Sequence, residues 1–257
     1  MVRRDLLITS SYRMAFVLDL TLGVISVFVY YFISKTLRIA AGQTLGDAPD
    51  YFSFAAVGVV VTLVIQGAST GVTRKIREEQ LTGTMEVLTT YPTSPAEIAL
   101  GLGGFPFLFA IVRAMLYLAV AATFLGLDVS SASWIGFASM MLLTGLTLSS
   151  IGIFVGAIVI VVNRGEVLAP LISMALGFFG GAYFPIDALP GWAEFLGNLT
   201  PTRYVFDGTR QALFLGDGWG GDAFALIPYC LLALPASIAA FSAALSRARR
   251  RGTLGQY

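Results

Sequence analysis

The stretch Ala55-Ala56-Val57-Gly58-Val59-Val60-Val61-Thr62-Leu63-Val64-Ile65 decides the architecture. It is continuously apolar and lies inside a longer uncharged run, 51–73. A membrane-spanning helix needs about 20 predominantly apolar residues, whereas a strand of a membrane barrel alternates apolar and polar residues over about ten. Nothing alternates here, so the run reads as a spanning helix. Working outward, five more runs follow the same pattern: 14–34, with one charge at Asp19; 103–125, interrupted by Arg113; 134–162; 167–184; and 223–245. The run 134–162 is long enough to tilt or to project into the interface.

Composition agrees. Of 257 residues, 56% are apolar and 12% charged, with a mean hydropathy of +0.80. An ordinary soluble domain carries about 25% charged residues, and the charged residues here are too few to cover a soluble surface. The expected fold is an all-α membrane protein of six transmembrane helices forming one domain over 1–257. A net charge of +1 argues against a nucleic-acid partner, whose affinity rests on clustered Lys and Arg. With no His, the commonest general base and metal ligand is missing. The single cysteine, Cys230, excludes an internal disulfide or a thiolate zinc site and reads as an inert core residue. No metal site and no catalytic residue are expected.

Lys and Arg set the orientation, because cytoplasmic flanks are enriched in them. Arg3, Arg4, Arg13, Arg74, Lys75, Arg77, Arg164, Arg247, Arg249, Arg250 and Arg251 flank one side, and Lys35, Arg38, Arg203 and Arg210 the other. Both termini are therefore expected in the cytoplasm. The segment before the first span, which includes Val2-Arg3-Arg4-Asp5-Leu6-Leu7, reads as an interfacial amphipathic helix rather than an export signal, since the apolar run after it is too long and lacks a small-residue cleavage site.

Two polar segments stand on opposite faces. On the inner side, Leu81, Met85 and Leu88 fall at i, i+4 and i+7, the spacing of one helix face, while Glu78, Glu79, Gln80, Thr82 and Glu86 supply the polar remainder and Pro92 and Pro95 stop the helix. The expectation is one short amphipathic helix over 76–90, which either covers the bundle end or docks in a partner's groove. On the outer side, Pro190–Gly197 and Thr202–Phe214 each read as a short apolar helix punctuated by Pro185, Pro190, Pro201 and the Gly216–Gly221 cluster, with Trp192, Tyr183, Tyr204 and Trp219 of headgroup-favouring type. Helices this short lie on the face or dip in and return.

Both segments resemble type-2 ATP-binding-cassette (ABC) transporter permeases, the membrane-spanning subunits of ABC exporters. The inner motif is Glu79-x-x-x-Gly83-Thr84-x-Glu86-x-Leu88 followed by Pro92-Thr93-Ser94-Pro95-x-Glu97-Ile98-x-x-Gly101. The outer one is Phe179-Gly180-Gly181-x-x-Phe184-Pro185-x-x-x-Leu189-Pro190-x-Trp192, then Asn198-x-x-Pro201-x-x-Tyr204 and Asp207-Gly208-Thr209-Arg210. The resemblance implies a coupling helix, with Glu78, Glu79, Gly83, Thr84, Glu86 and Leu88 contacting a nucleotide-binding ATPase subunit. It implies an outer re-entrant gate at Pro185, Pro190, Trp192, Pro201, Tyr204 and Arg210. It also implies a permease homodimer, with spans one and five at the seam, above two ATPase copies that hold ATP and magnesium, in the cytoplasmic (inner) membrane and surrounded by the lipid bilayer.

The chain has two lysines, and neither Lys35 nor Lys75 sits in a Gly-x-x-x-x-Gly-Lys-Ser/Thr frame, the loop that cradles ATP phosphates. The energy source is then another polypeptide. Asp19 and Arg113 are the two charges inside spans; a charge there costs about 2.5–3.5 kcal/mol and faces protein or water, so they read as a structural ion pair, as snorkelling side chains, or as a substrate or proton site. Gln66, Phe178, Phe179 and Tyr183 are pathway candidates, and Gly67/Gly71, Gly152/Gly156 and Gly177/Gly181 form small-residue ridges that let helices approach. The expected function is ATP-driven export of a hydrophobic or amphiphilic substrate, a lipid, drug or lipid-linked glycan. An ion-gradient-driven secondary transporter is the alternative, disfavoured by the absence of an internal repeat and by the single intramembrane acid.

Overall fold

A computed structural model describes residues 13–37, 47–90, 93–162 and 167–251. The expected N-terminal interfacial helix and Arg164, together with Tyr91 and Pro92, lie outside the described residues. Within them the chain is helical: α1 (Arg13–Leu37), α2 (Tyr51–Leu81), α3 (Thr84–Thr90), α4 (Pro95–Phe124), α5 (Trp134–Val162), α6 (Leu168–Phe179), α7 (Gly191–Leu199), α8 (Pro201–Arg210) and α9 (Trp219–Arg251). Four helices among the described residues are long and apolar enough to cross a membrane: α2, α4, α5 and α9. Two shorter apolar stretches accompany them, Leu20–Thr36 of α1 and α6.

Helix α2 is the central rod. Asp50 caps it by accepting a hydrogen bond from the Ser53 amide at 2.7 Å, and nearly every side chain from Phe52 to Ile65 is buried. At a rise of 1.5 Å per residue, about 38 Å separate Phe54 at one end from Glu79 at the other. Midway, Gly67–Gly71 forms a π-helical turn. Here neighbouring helices approach closely: a Cβ on Gly67 would lie 2.3 Å from Ala110 of α4, and one on Gly152 of α5 2.5 Å from the Ser69 carbonyl oxygen. The glycine ridges of α2 and α5 are thus spent on packing within this bundle.

Two apolar clusters divide the core. The larger surrounds the first half of α2 with residues of α4, α5 and α8, among them Tyr117, Met140 and Phe206. The second joins the far end of α2 to α3, α4, α5 and α9 through Ile76, Met85, Ile98, Ile160 and Phe241.

Three boundaries differ from the sequence expectation. The polar run Arg74–Gln80 continues α2 instead of opening a separate helix, and the chain breaks at Thr82-Gly83, where Gly83 takes φ +71°. Leu81 and Met85 therefore belong to different helices; Leu81 is 57% exposed and Met85 fully buried. Pro95 does not end a helix: it opens α4 behind a capping box, the Glu97 amide donating to Ser94 Oγ and the Ser94 amide to Glu97 Oε2. The run 167–184 yields only the 12-residue α6, about 18 Å long and shorter than the apolar thickness of a bilayer. It stops because the chain reverses at Gly180-Gly181, with Gly181 at φ +84°. By contrast α5 keeps the bounds expected of it, 134–162.

Candidate functional site

The elbow between α2 and α3 forms around one carboxylate. Glu79 is 4% exposed and accepts a hydrogen bond from Thr84 Oγ1 across the turn. Thr82 Oγ1 donates to the Glu78 carbonyl at 2.8 Å, tying off the end of α2. Met85 sinks into the second apolar cluster and Leu88 packs against it. What remains outward is Leu81, Val87 (53% exposed), Glu78 and Glu86, with Lys75 Nζ 3.3 Å from Glu78. The sequence places Glu79 on the polar side of the elbow helix, open to a partner; in the structure a donor within the elbow holds its carboxylate inside. Of the six residues expected at this site, Glu78 and Glu86 are surface, Glu79 and Thr84 form the internal clasp, Gly83 is the tip and Leu88 faces inward.

The opposite end carries a cap. After the Gly180-Gly181 turn, Pro185 leads into a short 3-10 turn at Ile186–Ala188. The Pro190 carbonyl accepts from the amides of Ala193 and Glu194 to start α7, and Pro201 opens α8. Small residues Ala193 and Gly197 face inward, while Trp192, 67% exposed, and Phe195 face out. Thr202 Oγ1 donates to the Leu176 carbonyl at 2.9 Å, and Ser131 Oγ to the Phe214 carbonyl at 3.0 Å. Tyr204 lies beside Tyr229 of α9, ring centroids 6.2 Å apart, and the Tyr229 hydroxyl donates to the Leu199 carbonyl.

Arg210 is the pin of the cap. Only 2% exposed, its Nη2 donates to the Gly181 carbonyl at 2.8 Å and, at 3.4 Å, to the carbonyls of Phe54 and Ala182. Its Nη1 lies 3.7 Å from Asp207. Burial pushes its pKa down to about 10, against which Asp207 pulls it up, so it stays charged at neutral pH. Burial pushes the Asp207 carboxyl up, opposed by Arg210 and Arg203. Arg210 thus joins α8, the Gly181 turn and the first turn of α2, and does not stand at an open mouth.

Between these ends α2 shows a polar edge at four-residue spacing, exposed Gln66 and Arg74 with half-buried Thr70 between them, on a stretch of helix whose other faces are largely buried. Ser173 of α6 meets it: its hydroxyl lies 2.6 Å from Ser69 Oγ and 3.4 Å from Thr70 Oγ1. Gly177 faces Thr62, so Gln66 lies at the level of α6 between Ser173 and Gly177. Toward the cap, Phe178 packs edge-on to Phe179 and Phe184, Phe179 reaches Trp192, and Tyr183 stacks on Tyr30 of α1 at 5.6 Å. The hydroxyl cluster was hidden in the sequence among apolar residues; its only signal is Ser and Thr recurring inside the spans. The side chain of Asp19 lies outside the described residues. Arg113 of α4 lies over Phe109 and Tyr117, 5.7 and 5.9 Å from their centroids.

The family model "ABC-2 type transporter" matches residues 2–214. The chain is 24% identical over 195 residues to the inner membrane transport permease YadH of Escherichia coli K12, covering 75% of this chain and 74% of YadH. It is 22% identical over 174 residues to ABC transporter G family member 20 of Dictyostelium discoideum, covering 65% of this chain but only 23% of that longer relative. With a family model spanning most of its length and apolar helices able to cross a membrane, the chain belongs to the ABC-2 type transporter family as a multi-pass membrane protein.

Proposed function

We propose that this chain is the membrane-spanning subunit of an ATP-driven exporter for a hydrophobic or amphiphilic substrate. It pairs with a second copy of itself and with two nucleotide-binding ATPase subunits, which bind ATP and magnesium and carry out the hydrolysis that this chain does not. It lies in the inner membrane with the elbow and both termini on the cytoplasmic side and the cap outside.

The observation that carries the reading is the build of the elbow. Its outward face mixes apolar Leu81 and Val87 with Glu78 and Glu86, a surface suited to a partner's cleft. Its inward face is locked to α2, α5 and α9 through Glu79 and Met85. A push on Leu81 or Val87 is thus transmitted to the bundle instead of being absorbed by a loose loop. The polar edge Gln66–Thr70, the Ser173 hydroxyl and the aromatic group Phe178, Phe179 and Tyr183 supply the pathway lining, and the cap pinned by Arg210 closes its outer end.

Glu86→Arg tests this. In the purified permease–ATPase complex it is expected to lower transport at least tenfold while the permease stays folded and ATP is still hydrolysed. Normal transport by this variant, or a permease that purifies active with no ATPase partner, overturns the reading.

A further inference from the structure

At the elbow end, α5 and α9 part to leave an elongated apolar groove of about 330 Å³. Phe154, Ile158 and Val162 form one wall, spaced four residues apart on α5, and their span is about 12 Å. The other wall is α9, where Ala240, Ala243 and Ala244 offer nothing longer than a methyl, so the groove is a furrow where side chains fall short, not a gap between misfitting ones. Phe154 and Val162 are exposed on its rim. At its polar end stands Arg247, exposed and part of the lining, and among the described residues the lining holds no carboxylate. Arg247 follows the apolar run of α9 by two residues, and the sequence continues Arg249-Arg250-Arg251.

An apolar furrow at acyl-chain depth, ending on a guanidinium just beyond the apolar run, matches the two ends of one ligand. Basic pockets between membrane helices bind anionic headgroups, and Arg recognises phosphate with a fork of donors. We infer that the α5–α9 groove holds an anionic phospholipid, its acyl chain along Phe154–Val162 and the alanines and its phosphate on Arg247. The lipid is structural: it covers the thin seam between the two most closely associated helices. Which leaflet supplies it depends on the orientation proposed above, and binding in detergent reads the site whichever leaflet that is.

The test titrates phosphatidylglycerol, and phosphatidylcholine of the same chains, into the detergent-purified complex. Bound lipid is counted by native mass spectrometry and thermal midpoints are followed. Wild type is expected to prefer phosphatidylglycerol about fivefold, the effect of one basic residue near a lipid headgroup. Arg247→Gln should abolish that preference, and Ala243→Phe, which fills the groove, should lower occupancy by both lipids. Arg250→Gln, a neighbouring charge that does not line the groove, should leave the preference intact. Equal loss in Arg250→Gln, an unchanged preference in Arg247→Gln, or displacement of the lipid by glycerol phosphate at equal concentration overturns the inference. So does a disulfide between the two copies in Ala243→Cys, which would make a second chain the occupant.

Discussion

The guanidinium carbon of Arg210 lies 3.5 Å from the centroid of the Phe54 ring, stacked over the first turn of α2 while its Nη2 donates to the Gly181 carbonyl. One side chain thereby fixes the cap to the central rod with a cation–π contact and a charge-assisted hydrogen bond. Arg210→Met removes both and leaves the buried Gly181 carbonyl without this donor, at a cost of about 1–3 kcal/mol. Arg210→Lys should recover little of it, since Lys lacks the planar fork. Thermal unfolding of the purified chain reads both; a midpoint unchanged in Arg210→Met would contradict the pinning role.

The clasp at the elbow makes a second prediction. Thr84→Val removes the donor to the buried Glu79 carboxylate and should cost about 1.5–3 kcal/mol, the range for hydrogen bonds to charged groups. Amide exchange over 79–90 should speed up while exchange in α5 stays slow. Thr84→Ser keeps the hydroxyl and should restore protection. Equal exchange in Thr84→Val and wild type would count against the clasp.

Gly83 separates backbone conformation from packing. It sits at φ +71° with nothing within 4 Å of where a Cβ would be, so a substitution there meets conformational cost alone. Gly83→Val should destabilise by about 1–2 kcal/mol, the penalty of the left-handed region, and Gly83→Asn by less. Denaturant midpoints giving the reverse order would refute this account of the turn.

Close approach is the opposite case at Gly58, where a Cβ would lie 1.8 Å from the Ala182 carbonyl oxygen. That neighbour is backbone, next to the carbonyl that anchors Arg210, and cannot swing away. Gly58→Ala should cost about 1–3 kcal/mol, as overpacking does. Gly191→Ala, with open space around it, should change stability by less than about 0.5 kcal/mol. Thermal midpoints of the pair decide.

Asp19 and Arg113 are proposed to pair. A Cβ on Gly23 of α1 would lie 2.1 Å from the Tyr117 hydroxyl oxygen of α4. Asp19 and Arg113 each precede that contact by four residues, on helices that both run from the elbow end toward the cap. A double-mutant cycle with Asp19→Asn and Arg113→Gln should return a coupling of about 0.5–3 kcal/mol; additive losses would dissolve the pair.

The sequence displayed some of this and concealed the rest for physical reasons. Helix α5 was legible to its ends because apolar residues fill it and polar turns bound it. The extent of α2 was not, since hydropathy falls at Arg74 while the backbone hydrogen bonding continues to Leu81. The i, i+4, i+7 spacing of Leu81, Met85 and Leu88 was real but did not imply a shared helix, because the positive φ of Gly83 comes between them. Gly180-Gly181 could be read as a turn signal, yet the apolar residues on both sides made a longer helix the simpler expectation. The motif around Arg210 marked it as special. Its burial depended on carbonyls from α2 and the Gly181 turn, contacts far apart along the chain that no local pattern encodes.

The π-helical turn at Gly67–Gly71 fixes the angular phase between the two ends of α2. Each residue of an α-helix advances the azimuth by about 100°, and a π-turn accommodates one residue beyond the α pattern. Removing that residue would leave Phe54 facing Arg210 and turn everything past Val72 by most of a third of a revolution. Glu79 would then swing away from Thr84, and Ile76 out of the second apolar cluster. The widening in the middle of the rod acts as a vernier, setting which face α2 presents to the elbow for a given seating of the cap.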